Sequence, residues 1–97
     1  MMDKDDRIIR LLGSLDLQRR GWSIVDHWEG DTCAIGIARA SELRRLVYVS
    51  TFDKECDKYD YECELASGPA ATDYATTGRG EGVTYDELLE VLIKHLG

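Results

Sequence analysis

The stretch DKECDKYDYECE, residues 53–64, has acidic side chains at its first, third, fifth and twelfth positions, the spacing of the ligands in a calcium-binding EF-hand loop. Read as such a loop it would join two helices; read as a turn and a strand it would extend a sheet. The sixth position of an EF-hand loop needs glycine for a sharp turn, and here Lys58 brings a β-carbon and a positive charge. Inside the stretch Tyr59, Tyr61 and Cys63 alternate with Asp60, Glu62 and Glu64, the period of a strand. The preceding RRLVYVSTF is rich in β-branched and aromatic residues, where an EF-hand would need a helix. The stretch therefore reads as a turn followed by a strand.

LVYVSTF is apolar on both faces and predicts a central strand, with KYDYECELA as its neighbour. Upstream, WSIVDHWE alternates Trp22, Ile24 and Trp28 against Ser23, His27 and Glu29, and EGDT offers a turn into CAIGIAR. On that second strand Ala34, Gly36 and Ala38 share one face while Cys33, Ile35 and Ile37 share the other, and a helix is expected over one of them. These segments predict a four-stranded antiparallel meander.

Helices flank it. Ile8, Leu11, Leu12 and Leu15 recur at helical spacing, Asp3, Asp5 and Asp6 suit the N-terminal end, and Arg19, Arg20 and Gly21 suit a C-terminal stop. Gly13 within this segment suggests a kink or a close packing contact. At the other end Thr84 and Glu87 form a capping box, Val83 can staple onto Leu88, and Tyr85, Leu88, Leu89, Leu92, Ile93 and Leu96 make an apolar stripe. Residues 67–82 lie between sheet and last helix with turn residues and no sustained period, and read as a long loop. The expectation is one α+β domain, residues 1–97, in the order α-β-β-β-β-α. It is either a two-layer sandwich or a sheet with a helix on each face.

With 97 residues and 43% hydrophobic residues the chain supports one modest core. Its acidic N-terminus, MMDKDDR, does not read as a signal peptide, and no apolar run is long enough to cross a bilayer, so a cytoplasmic, bacterial protein is expected. Cys33, Cys56 and Cys63 are odd in number and widely spaced, which favours reduced thiols. The net charge of -7 is concentrated: through Thr51 eight acidic residues balance eight basic ones, whereas from Phe52 onward eleven acidic residues face four basic ones. Such a field repels nucleic acid and anionic lipid and attracts a basic partner.

Other chemistries are poorly supported. His27, His95 and the cysteines form no C-x-x-C or H-x-x-x-H pair for zinc. Asp26 and His27 are adjacent and point to opposite strand faces, which spoils a Cys33–His27–Asp26 relay. GRGEG, residues 78–82, lacks the lysine and hydroxyl of a phosphate loop. No catalytic residue, metal ligand or cofactor is expected.

Side chains two apart on a strand face are about 6.6–7 Å apart, so Asp60, Glu62 and Glu64 form a row of carboxylates that must meet water or a cation. Asp53, Glu55 and Asp57 in the turn extend the row, and these six are the expected partner-binding residues, with Tyr59 and Tyr61 positioning the strand from its other face. In size, acidity and helix–sheet–helix layout the chain resembles some bacterial immunity proteins, which cover the basic active site of a toxin with an acidic surface. The resemblance is one of architecture and implies a non-enzymatic binding domain with a basic protein partner. The alternative is a small-ligand binder or enzyme using the sheet face of Trp22, Asp26 and Trp28 with residues 67–82 as a lid. A homodimer formed through a strand edge or an apolar sheet face is a third possibility.

Overall fold

The computed structural model describes residues 4–25, 30–54, 57–70 and 73–97. Two short helices open the chain, α1 (Asp6–Leu15) and α2 (Leu17–Arg20). Five strands follow, β1 (Trp22–Val25), β2 (Ala34–Arg39), β3 (Glu42–Ser50), β4 (Tyr59–Ala66) and β5 (Tyr74–Val83), and α3 (Tyr85–Leu96) closes the chain. The strands form one antiparallel sheet in sequence order, a meander with β3 at its centre.

The α+β class and the meander are as the sequence predicts, with one more strand. Residues 74–82, expected as part of a long loop, pair with β4 as β5. Glycine is depleted in strands, and the alternation in TTGRGEG is of glycine with charge rather than of apolar with polar. An edge strand that buries little needs no such apolar alternation. The remaining connection is a turn held by Arg44, whose guanidinium donates to the carbonyls of Gly68 (2.8 Å), Ala70 (2.6 Å) and Asp73 (2.9 Å).

Asp5 caps α1, its carboxylate accepting from the Arg7 N–H at 2.8 Å. The expected continuous first helix is interrupted at Asp16, which takes a left-handed conformation with φ 52°, tolerable for its short polar side chain. Gly21, φ 75°, then ends α2 as predicted. Gly13 makes no close packing contact: it is exposed within α1, and nothing lies within 4 Å of where its Cβ would be.

Both helices lie on one face of the sheet. Ile8, Leu11 and Leu15 of α1 and Leu88, Leu92 and Leu96 of α3 share a single core with Trp22, Ile35, Ile37, Val47, Val49, Tyr59 and Cys63. The register explains the strand contribution: Ile35 stands opposite Val49, and Ile37 opposite Val47, which in turn stands opposite Cys63. Each such aliphatic side chain stabilises by about 1.5–3 kcal/mol when fully buried. The Tyr85 hydroxyl ties the helices by donating to the Ser14 carbonyl at 3.2 Å. The two-layer arrangement is thus the one adopted, and the helices cover the isoleucine face of β2, not the face of Ala34, Gly36 and Ala38.

The capping box of α3 is complete. Thr84 Oγ1 accepts from the Glu87 N–H at 3.2 Å and Glu87 Oε1 from the Thr84 N–H at 3.0 Å, and these bonds hold the Glu87 carboxyl below its ordinary pKa. Thr84→Ala is expected to lower stability by about 0.5–2 kcal/mol in urea unfolding at neutral pH. Glu87 contributes its share above the unfolded carboxylate pKa and loses it as pH falls through the depressed folded value. The Thr84→Ala penalty should therefore shrink on acidification; a penalty larger in acid would contradict this assignment.

Candidate functional site

The helix-free face of the sheet carries the acidic row. Across β2, β3 and β4 the opposed residues on it are Ala34–Ser50–Asp60, Gly36–Tyr48–Glu62 and Ala38–Leu46–Glu64; Ala34, Gly36, Ala38, Leu46 and Ser50 are buried, and Tyr48, Asp60, Glu62 and Glu64 are half-buried. On β5, Arg79 stands opposite Glu62 and Thr76 opposite Glu64. The helix layer expected over one face of β2 covers that of Ile35 and Ile37, and no described helix lies over Ala34, Gly36 and Ala38.

At one end of this face is a cleft of about 280 Å³ bordered by Asp31, Tyr48, Ser50, Phe52, Asp60, Glu62, Arg79 and Glu81. Four carboxylates here face one guanidinium. Burial raises the pKa of the Tyr48 phenol, and the charges of Asp31, Glu62 and Asp60 push the same way against a hydrogen bond with Ser50. The negative field that the composition foretold is thus felt at a particular side chain. Phe52, 69% exposed, stands at the rim on the turn that follows β3, where its N–H donates to Ser50 Oγ at 3.2 Å.

The carboxylates differ in what they do. Asp60 is partly structural: Oδ1 accepts from the Gly82 N–H at 2.9 Å, and Oδ2 is 3.4 Å from Lys54 Nζ. Gly82 has φ 59° at an irregularity in the β4–β5 register, so Asp60 fastens the end of the last strand. Asp31 also works locally, Oδ1 accepting from the Cys33 N–H at 2.9 Å. Glu62 and Glu81 make no hydrogen bond or ion pair among the described residues.

Of the six expected partner-binding residues, Asp60 and Glu62 border the cleft and Glu64 continues their face along β4. Asp53 is exposed beside Phe52 with φ 54°, and Glu55 lies outside the described residues. Asp57, φ 66°, borders a separate hollow with Arg10, Ser14, Tyr59 and Tyr85. The turn therefore does not simply prolong the row. Tyr59 is buried behind it as expected, while the ring of Tyr61 lies against Gly80. Asp31, Phe52, Arg79 and Glu81 were not singled out from sequence as partners of Asp60 and Glu62. The alternation of Arg79 and Glu81 with glycines was the available sign for the last two.

Trp22, Asp26 and Trp28 do not make up a described site. Trp22 is 4% exposed within the core, with the Arg20 guanidinium 5.4 Å from its ring centroid, and Asp26, His27 and Trp28 lie outside the described residues. The proposed lid is largely β5. A more apolar hollow of about 350 Å³ lies between α3 and the β4–β5 pair, bordered by Tyr61, Cys63, Gly78, Val91, Lys94 and His95. Burial pushes the Cys63 thiol up, which disfavours a thiolate there. Among the described residues no group of three His, Cys, Asp or Glu side chains is placed to hold a metal ion, and no helix is long and apolar enough to cross a membrane.

Comparison of the chain with protein-family models, with curated proteins and with solved structures finds no match.

Proposed function

We propose that this is a non-enzymatic protein-binding domain that docks a basic partner on its helix-free sheet face, in the manner of an immunity protein or inhibitor. The observation that carries the reading is the convergence of Asp31, Asp60, Glu62 and Glu81 on one cleft with the exposed Phe52 at its rim. Carboxylates steer a cationic surface into register, and an exposed aromatic ring supplies the area that slows dissociation. The excess of negative charge over the whole chain acts in the same direction at longer range.

Glu62 and Phe52 are the informative positions, since neither holds the fold together. Pull-down with the intact domain, followed by mass spectrometry, should yield a basic protein. Glu62→Lys is expected to weaken its binding about tenfold, chiefly through a slower, less salt-sensitive association. Phe52→Ala should weaken it by a similar factor through faster dissociation. Both variants should unfold at the wild-type temperature. Capture of the same partner at unchanged affinity by both variants would remove the proposal. Asp60 is a poorer probe, because its substitution also releases Gly82 and Lys54.

A further inference from the structure

The docking reading leaves the outer edge of the sheet unused. β5 is last in the strand order, so one side of its backbone meets β4 and the other meets no strand among the described residues. An open edge of this kind is a template for another strand. Register irregularities lie on both sides of Gly78–Gly80, and Glu81 and Gly82 fall within the second of them, where Gly82 takes φ 59°. Arg79 stands opposite Glu62 on the helix-free face, and Glu81 borders the acidic cleft with it. Among the described residues neither makes an ion pair within its own chain.

We propose that β5 pairs antiparallel with β5 of a second copy of this chain, about a two-fold axis at Gly80. Arg79 of each copy then stands opposite Glu81 of the other. Directly opposed residues of antiparallel strands share a face, and opposite charges there are favourable while like charges are not. The pattern also selects the register. The smallest shift that keeps all helices on the same side of a continuous sheet is two residues. One such shift sets Arg79 against Arg79, and the other sets Glu81 against Glu81. The two-fold contact is closed, so it yields a dimer and not a filament. The flanking irregularities keep the ladder short, and the association is weak and reversible. It shares Arg79 and Glu81 with the rim of the docking cleft, but it is tested on the free chain, apart from the docking probes Glu62 and Phe52.

Sedimentation velocity at low salt, over a series from about 10 μM to about 1 mM, tests this with the full chain. The wild type is expected to pass from monomer to dimer across the series. Arg79→Glu and Glu81→Arg should each remain monomeric, because each sets like charges against each other. Mixed in equal amounts, the two should dimerise, since every opposed pair is then complementary. Arg79→Glu also places a carboxylate opposite Glu62. If that variant fails to fold, the double exchange R79E/E81R, which restores complementarity, carries the test and should dimerise like the wild type. A wild type that stays monomeric, single variants that dimerise alone as well as it does, or a folded double exchange that does not dimerise would each overturn the pairing.

Discussion

Leu92→Ala should lower the stability of this domain by about 2–5 kcal/mol, the largest single effect expected from the fold. Leu92 is 0% exposed and lies between Leu88 and Leu96 on the stripe by which α3 meets the sheet. Truncation removes the transfer free energy of its buried carbons and leaves a cavity between two layers that cannot both relax around it. Against a total of about 5–15 kcal/mol for a small domain, the loss is a large fraction. The neighbouring Ile93, 47% exposed, provides the control. Urea unfolding of Leu92→Ala should show a lower midpoint with an unchanged slope, and Ile93→Ala should lie much closer to wild type. Equal losses at the two positions would mean that α3 does not present this face to the sheet.

Gly80→Ala is the second. A methyl group there would sit 2.8 Å from Cζ of Tyr61 and 3.0 Å from its hydroxyl oxygen. The ring would have to leave its place over β5, at an expected cost of about 1–3 kcal/mol. Gly78, two residues earlier on the same face, meets only Cys63 Sγ at 4.0 Å. Gly78→Ala should therefore be neutral or stabilising by up to about 1 kcal/mol, because alanine restricts the unfolded chain. If the Tyr61 ring is the cause, Gly80→Ala should cost less when Tyr61 is also reduced to Val, a coupling that a double-mutant cycle in thermal unfolding would measure. Additive effects would place the cost of Gly80→Ala elsewhere.

These two positions also mark what the sequence does and does not reveal. The stripe of α3 is legible because its signals are local: Thr84, Glu87 and the leucine spacing act within a few turns of one helix. β3 is legible as central because it is apolar on both faces. β5 is not, because the middle of its inner face is glycine, Gly78 and Gly80, and what makes it a strand is the neighbouring β4 with the Tyr61 ring filling the space a side chain at Gly80 would take. Which face of β2 the helices cover is likewise a property of the assembled sheet. The small face of Ala34, Gly36 and Ala38 would admit a helix, but Ile35 and Ile37 offer more area to bury, and with Val47 and Val49 opposite them they bind both helices.

The candidate site divides in the same way. Alternation within β4 puts Asp60, Glu62 and Glu64 on one face without any knowledge of the fold. Asp31, Phe52, Arg79 and Glu81 join them only through antiparallel register and the turn after β3, relations between segments distant in sequence. The turn residues Asp53 and Asp57 gave the stretch its calcium-loop spacing. Both take left-handed conformations, and Asp57 faces a different hollow, so proximity in sequence overstated their part in the acidic face.

Under the proposed function the helix-free face, and not the helices, meets a basic partner. The most direct measurement is a nuclear magnetic resonance titration of the isotope-labelled domain with that partner once captured. The largest shifts are expected on Tyr48, Phe52 and Glu62, with the exposed side of α3 around Glu90, Ile93 and Lys94 unchanged. Shifts concentrated on α1 and α3, with Tyr48, Phe52 and Glu62 unmoved, would contradict it.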